Sequence, residues 1–443
     1  MSAGIDRLRQ VVRTCPIIDN HAHNLLKPQQ LLASDFLTIT TEAHGAALED
    51  TPKSLPHIRA AKQLRQLYGL PLDADWDMIL RKRAELLSTD PDALTRKCLE
   101  GTQTILIDDG LGSAADFESY DWHNKFTKSP CKRIVRIETV ASAILAALHQ
   151  HGKLPIGIAI ADEEACSLAW VAFITAFEQA IVAAIEDHEV VGFKSVVCYR
   201  TGLDVQTGSD VEVTERGLGS FTQEFLPTCE AKEFRIQHKG MDDALVISTC
   251  KLVAAAYEQS GKAKPLQFHT GLGDNDISLL KSNPACLQPL IEDFPTVPIV
   301  LLHSSYPYTR EAGYFATVFK NVYLDIGEVF PMVSRHGQES IVREALELTP
   351  TSKILWSTDG HLQAETYWLA NVQGRQALEK VLLELVENED LTCGHAEQAA
   401  KDIFFENSNQ LYGLDLDFQL PESPSLGSSV EAGATDVGVS TLS

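Results

Sequence analysis

PIIDNHAH, residues 16–23, is a short apolar run that ends in an acid, an amide and two histidines one residue apart. Residues two apart on an extended strand point the same way. His21 and His23 therefore leave the end of this strand on one face. Whether the pair is a ligand site depends on what the rest of the chain brings to it.

Seven further runs rich in Val, Ile and Leu follow, mostly separated by helix-length segments. They are TQTILIDDGLG from residue 102, KRIVRIET from 132, EVVGFKSVVCYRTGL from 189, KPLQFHTGLGD from 264, VPIVLLHSSYP from 297, NVYLDIGEV from 321 and SKILWSTDGH from 352. Strands alternating with helices imply a parallel sheet, and eight of them fit an α/β fold of the (β/α)8 TIM-barrel type. A doubly wound open sheet is the alternative, but no G-x-G-x-x-G or phosphate-loop motif opens a helix.

The predicted organisation is a barrel over 1–28 and 101–418 with a helical insertion, or cap, over 29–100 after strand one. Residues 419–443, rich in Ser, Gly and Val and without aromatics, read as a disordered tail. Residues 202–240 read as a long irregular connection. The most apolar stretch, ACSLAWVAFITAFEQAIVAAIEDH (165–188), carries Glu178 inside it and reads as a buried helix rather than a membrane span.

The charge balance, 61 Asp and Glu against 37 Lys and Arg, argues against a nucleic-acid partner, which needs a basic surface. The nine cysteines are odd in number and contain no C-x-x-C, so a reducing, cytoplasmic setting is expected. The charged first residues do not form a secretory signal. The expected partner is a small-molecule substrate, with no membrane and with homo-oligomerisation left open.

Barrel enzymes place their chemistry at the C-terminal ends of the strands. His21 and His23 end strand one, Lys194 lies in strand four, His269 ends strand five, His303 ends strand six and Asp359 ends strand eight. Any one of these reads alone as a hydrogen-bonded structural residue. Together they read as a metal site. Imidazoles and a carboxylate without thiolates suit a catalytic Zn2+, with Mn2+ or Fe2+ as alternatives. Such an ion lowers the pKa of water to roughly 7. Asp359 is then the candidate general base, and His303 a ligand or a group that polarises the substrate carbonyl.

The stretches PIIDNHAHNLL, GFKSVVCYRTGLD, LQFHTGLGDND, LLHSSYPYTREAGYFA, NVYLDIGEVFP, ILWSTDGHLQAETYWLA and IFFENSNQLYGL together resemble the amidohydrolase superfamily, and within it the amidohydrolase-2 group. The resemblance implies metal-dependent hydrolysis of an amide or cyclic amide, with a γ-glutamyl compound one candidate. It also implies one or two metal ions. His21, His23 and Asp359 would hold the more buried ion, and His269 and His303 the more exposed one. Lys194 would bridge them as a carbamate. A domain of this kind occurs elsewhere fused to a glutamine-synthetase-like domain; the expected tail stands where that domain would begin, so synthetase activity is not expected. A non-oxidative decarboxylase or an isomerase on the same barrel is the alternative function, and a purely regulatory barrel is a third.

Candidate substrate contacts are Tyr199 and Arg200 after strand four, Asp276 in the turn after His269, and Tyr306 after His303. Arg200 has the planar fork suited to a carboxylate. Asp109 and Glu138 are expected to orient ligand histidines. The insertion, with His44 and Thr51, is expected to overhang the mouth as a lid.

Overall fold

The computed structural model describes residues 2–156, 162–229 and 234–421. The tail reading over 419–443 falls outside these residues from 422 onward.

Eight strands form one sheet: β1 (Ile17–His23), β2 (Thr102–Asp108), β3 (Lys132–Arg136), β4 (Val190–Ser195), β5 (Leu266–Phe268), β6 (Ile299–Leu301), β7 (Val322–Asp325) and β8 (Ile354–Leu355). They pair in chain order and every pair is parallel. The residues after β8 bring the sheet back to β1. Asn20 N donates to the Trp356 carbonyl at 3.0 Å, Asp359 N to that of His21 at 3.1 Å, and His23 N to that of Gly360 at 2.7 Å. The result is the expected barrel. Helices cover its outside, so the strands are buried on both faces and read as nearly continuous apolar runs.

β1 departs from that rule, because all seven of its residues are buried although four are polar. The polar ones are tied into the barrel floor. Asn20 Nδ2 donates to Asp325 Oδ1 at 2.8 Å, and Gln267 Nε2 donates to both the Asn20 carbonyl and the Tyr412 hydroxyl at 2.8 Å. Satisfied in this way, buried polar groups fix one strand register instead of weakening the core.

Between β1 and β2 run helices Leu55–Tyr68, Trp76–Thr89 and Pro91–Cys98. Ser54, Asp75 and Asp90 cap their N-termini by accepting from His57 N, Met78 N and Ala93 N. Their apolar faces share a core with β2 and with helix Ala364–Glu387, through Leu64, Ile79, Ile105, Ile107 and Tyr367. A buried ion pair, Arg83 to Glu365 at 2.9 Å, joins this insertion to the segment that follows β8. The insertion is therefore held at the C-terminal rim.

Two sequence expectations need correction. Residues 202–240 are not irregular throughout, since Asp210–Ser220 is a helix opened by a capping box between Ser209 and Glu212. The helix Glu163–Glu186 is only half buried. Trp170, Phe173, Phe177 and Ile181 recur at helical spacing and face the core, whereas Leu168 and Val171 are 64% and 56% exposed. The chain is apolar on both faces of this helix, so composition does not reveal which face is covered.

Candidate metal centre

The histidines meet over the mouth of the barrel, and the groups behind them decide how they point. His21 Nδ1 lies 2.8 Å from Gln267 Oε1, and the donations from Gln267 Nε2 to Asn20 and Tyr412 fix that amide with its oxygen toward the ring. His23 Nδ1 lies 3.0 Å from the carbonyl of Asp108, and His269 Nε2 lies 2.7 Å from the carbonyl of Leu272. A carbonyl oxygen only accepts, so each of these nitrogens carries the proton. The opposite nitrogen of each ring faces away from these carbonyls, and that of His21 lies 3.2 Å from Lys194 Nζ. Burial, with Lys194 adding to it, brings His21 down to about 4, and burial drives His269 and His303 well below the usual imidazole value. Neutral rings with one free lone pair are what a metal ligand requires.

Those nitrogens converge. The Nε2 atoms of His21 and His23 each lie 3.3 Å from Asp359 Oδ1. Asp359 Oδ1, both ring nitrogens of His303 and Glu328 Oε2 are buried without any hydrogen-bond partner, although His303 Nδ1 and Glu328 Oε2 are 3.1 Å apart. Electron-rich atoms packed this closely without protons between them repel one another, and a divalent cation relieves that repulsion. The donor set fits one. His21, His303 and Asp359 have ligand atoms within 4.8 Å of one another, and so do His269, His303 and Glu328.

Lys194 enters from β4, its Nζ 3.2 Å from His21 Nε2. Burial, opposed by Asp108, brings its ammonium down to about 8, so a fraction of the amine is neutral near physiological pH. Beside it Arg136 is bound to Asp108, Nη2 to Oδ2 at 2.6 Å. Burial opposes ionisation of Asp108, yet the Arg136 guanidinium holds its carboxyl well below the usual range.

Strained backbone carries three of the side chains. His303, Glu328 and Asp359 have φ of 67°, 59° and 49°, a region that costs non-glycine residues on the order of 1–2 kcal/mol. Two buried acids support these turns. Asp325 Oδ2 accepts from His303 N, Gly327 N and Ser357 Oγ at 3.0–3.1 Å, and Asp19 accepts from both the amide and the hydroxyl of Thr358.

The mouth opens into a cavity of about 460 Å³. Tyr199 and Arg200 line it as expected, and the Tyr199 ring packs 4.3 Å from that of His269. Gly273 permits this contact, because a Cβ there would lie 2.2 Å from the Tyr199 hydroxyl. Asp276 also lines the cavity but is paired with Arg235 at 2.9 Å. Tyr306 is not among the lining residues; its carbonyl accepts from Leu272 N instead. Asp109 pairs with Arg133 at 2.9 Å, and its neighbour Asp108 is the residue beside His23. Glu138 accepts from Ser195 Oγ and Val196 N, so it steadies the end of β4 and orients no histidine directly.

Sequence reading missed Asp19, Asp108, Asp325 and Gln267 behind the histidines. Their signal was present, since each is a polar residue inside or closing an apolar strand. It missed Glu42 as well, a residue of the insertion that reaches the cavity with no strand pattern to announce it.

Residues 250–414 match the family model for amidohydrolases, Amidohydro_2. The chain is 50% identical over 429 residues to protein fluG of Emericella nidulans, covering 96% of this chain and 48% of that protein. It thus spans about half the length of the curated relative it matches. Among solved structures, a candidate metal-dependent hydrolase of Lactobacillus casei ATCC 334 superposes with a TM-score of 0.73 at 25% identity, covering 92% of this chain and 97% of the other. A uronate isomerase of Bacillus halodurans C-125 superposes with a TM-score of 0.61 at 12% identity, covering 93% and 96%. At that identity the likeness is one of fold.

Proposed function

We propose that this chain is an amidohydrolase-superfamily enzyme that hydrolyses a C–N bond, amide or cyclic amide, with Zn2+ or a similar divalent ion held by His21, His23 and Asp359. The observation that carries the reading is the convergence of the Nε2 atoms of His21 and His23 on one buried carboxylate oxygen of Asp359. A bound ion of this kind supplies a Lewis acid and water acidified to a pKa of about 7. Asp359 takes the proton from the attacking water and returns it to the leaving nitrogen. His303, its ring nitrogens free of protein partners, faces the same space and holds the substrate carbonyl or a second ion. Lys194, partly neutral, is the residue able to add CO2, losing one proton as it becomes a carbamate. In that form it would join His269 and His303 in holding a second ion. Gln267 and Asp108 keep His21 and His23 in register.

Arg200 and Tyr199 are read as substrate contacts, and Asp276 acts through its pair with Arg235. The barrel over 1–28 and 101–418 carries the chemistry, and the insertion over 29–100 serves as a lid. Its Glu42 and His44 line the cavity, which supports that role. Six of the nine cysteines are buried, and their odd number without a C-x-x-C pair supports a reducing compartment such as the cytoplasm.

The test is turnover by chelator-stripped protein reloaded with zinc or manganese. The panel contains amides and cyclic amides, set against uronates and small carboxylic acids. Metal-dependent release of an amine supports the proposal. Turnover of the uronates or acids alone replaces it with the isomerase or decarboxylase reading.

A further inference from the structure

The cavity is lined by many charges, and most of them are already matched. Arg136 is bound to Asp108, Arg235 to Asp276 at 2.9 Å, and His44 Nε2 lies 3.2 Å from Asp274 Oδ1. Lys194, Glu328 and Asp359 belong to the metal centre. Two lining charges remain, one of each sign, and neither has an ion pair or a side-chain hydrogen bond among the described residues. They are Arg200, at the end of β4, and Glu42, from the insertion.

Their surroundings differ. The charges acting on Arg200 are Arg235, the buried acids Glu138 and Asp242, which do not line the cavity, and Asp276, which is already paired with Arg235. Both buried acids keep one buried oxygen unpartnered, Glu138 Oε2 and Asp242 Oδ1. Neither of them hydrogen-bonds the guanidinium, so its donors are left open toward the cavity. Glu42 stands at the insertion side among Asp274, Asp359, His44 and His361. A partly buried guanidinium and a partly buried carboxylate left open in one cavity are costly until a ligand of opposite charge meets each.

We propose that the substrate is zwitterionic, carrying a carboxylate that binds Arg200 and an ammonium group that binds Glu42. This deepens the hydrolase reading and rests on it. The substrate class becomes an amide that retains both a free amino and a free carboxylate group, as in a dipeptide or another amide-linked amino acid. The insertion thereby supplies a specificity-determining residue and not merely a cover. Burial, opposed by His361, pushes Glu42 up to about 7, and an ammonium partner would counter that shift.

The test reads binding and not turnover, so its outcome is independent of whether the metal chemistry has been assigned correctly. Four probes share one backbone: glycylglycine with both charges, N-acetylglycine with only the carboxylate, glycinamide with only the ammonium, and N-acetylglycinamide with neither. Their affinities are measured by ligand-observed NMR on the wild type and on the Arg200→Gln and Glu42→Gln variants, with thermal melts confirming that each variant is folded. The wild type should rank glycylglycine first and the neutral probe last. Arg200→Gln should weaken the carboxylate-bearing probes about tenfold and leave glycinamide unchanged. Glu42→Gln should do the reverse. Equal affinities, variants that shift all four probes together, or silence from the whole panel overturn the proposal. Metal content measured on the same samples then shows separately whether the hydrolase reading stands.

Discussion

The two ends of this barrel treat buried charge in opposite ways. At the N-terminal end the half-buried cations Lys353 and Arg375 are matched by backbone carbonyls. Lys353 Nζ donates to the carbonyls of Phe319 and Val322 at 3.0 Å, and Arg375 donates to those of Val12 and Cys15 at 2.6 Å. Arg375 also lies 4.8 Å from the Phe404 ring centre. At the C-terminal end, Asp359 Oδ1, Glu328 Oε2 and both nitrogens of His303 are buried and unmatched. The charges at one end are satisfied as folded, whereas those at the other call for something bound. Conserving stability at one rim and chemistry at the other is how barrels of this kind divide their labour.

That contrast can be broken from either side. The largest effect is expected at the unmatched end. Asp359→Asn removes the proposed general base and metal ligand, so kcat should fall about 10²- to 10⁴-fold while the protein stays folded. Steady-state kinetics beside a melting curve would check both halves. At the matched end, Arg375→Met leaves two carbonyls without donors. It should cost about 3 kcal/mol in urea unfolding without changing the metal bound per folded chain.

Gln267→Leu tests the link between the ends, since this residue joins the barrel floor to His21. It should weaken metal affinity about 10- to 100-fold in a chelator competition, with little loss of fold. Asp242→Asn sharpens the comparison through pH. Burial pushes the Asp242 carboxyl up to about 8, so between about pH 4 and that value the unfolded chain has released a proton that the folded chain keeps. Its contribution to stability therefore falls as pH rises across that window, and the asparagine variant should lose this part of the slope in unfolding curves. The smallest effect is expected for His44→Ala. The pair with Asp274 is about half exposed, so stability should change by no more than about 1 kcal/mol. A change in KM, with kcat held, would mark the insertion as a lid.

The barrel was legible in the sequence because its strands are apolar runs at regular intervals, each closed by a polar residue. The same pattern gave His21, His23, His269, His303 and Asp359, whose side chains meet as the strand-end rule requires. What strand patterns do not encode is the backbone beyond the strand. The left-handed conformations of His303, Glu328 and Asp359 turn their side chains inward, and the tertiary hydrogen bonds of Asp325 and Asp19 hold those turns. Tyr306 illustrates the limit: it is three residues from His303, yet the same turn carries it out of the cavity. Asp108 was overlooked in favour of Asp109 because a shift of one residue on a strand changes the face. Glu42 lies between two short helical turns of the insertion, where no periodic pattern points it toward the cavity.

The central claim is that the C-terminal end is unmatched because it holds a divalent metal. Its most direct test is the metal content of wild-type and Asp359→Asn protein, purified without chelators and measured by mass spectrometry of the ions released. The account predicts about one or two divalent ions per chain in the wild type and their loss in the variant. A wild-type protein that binds neither zinc nor manganese when both are supplied would contradict it.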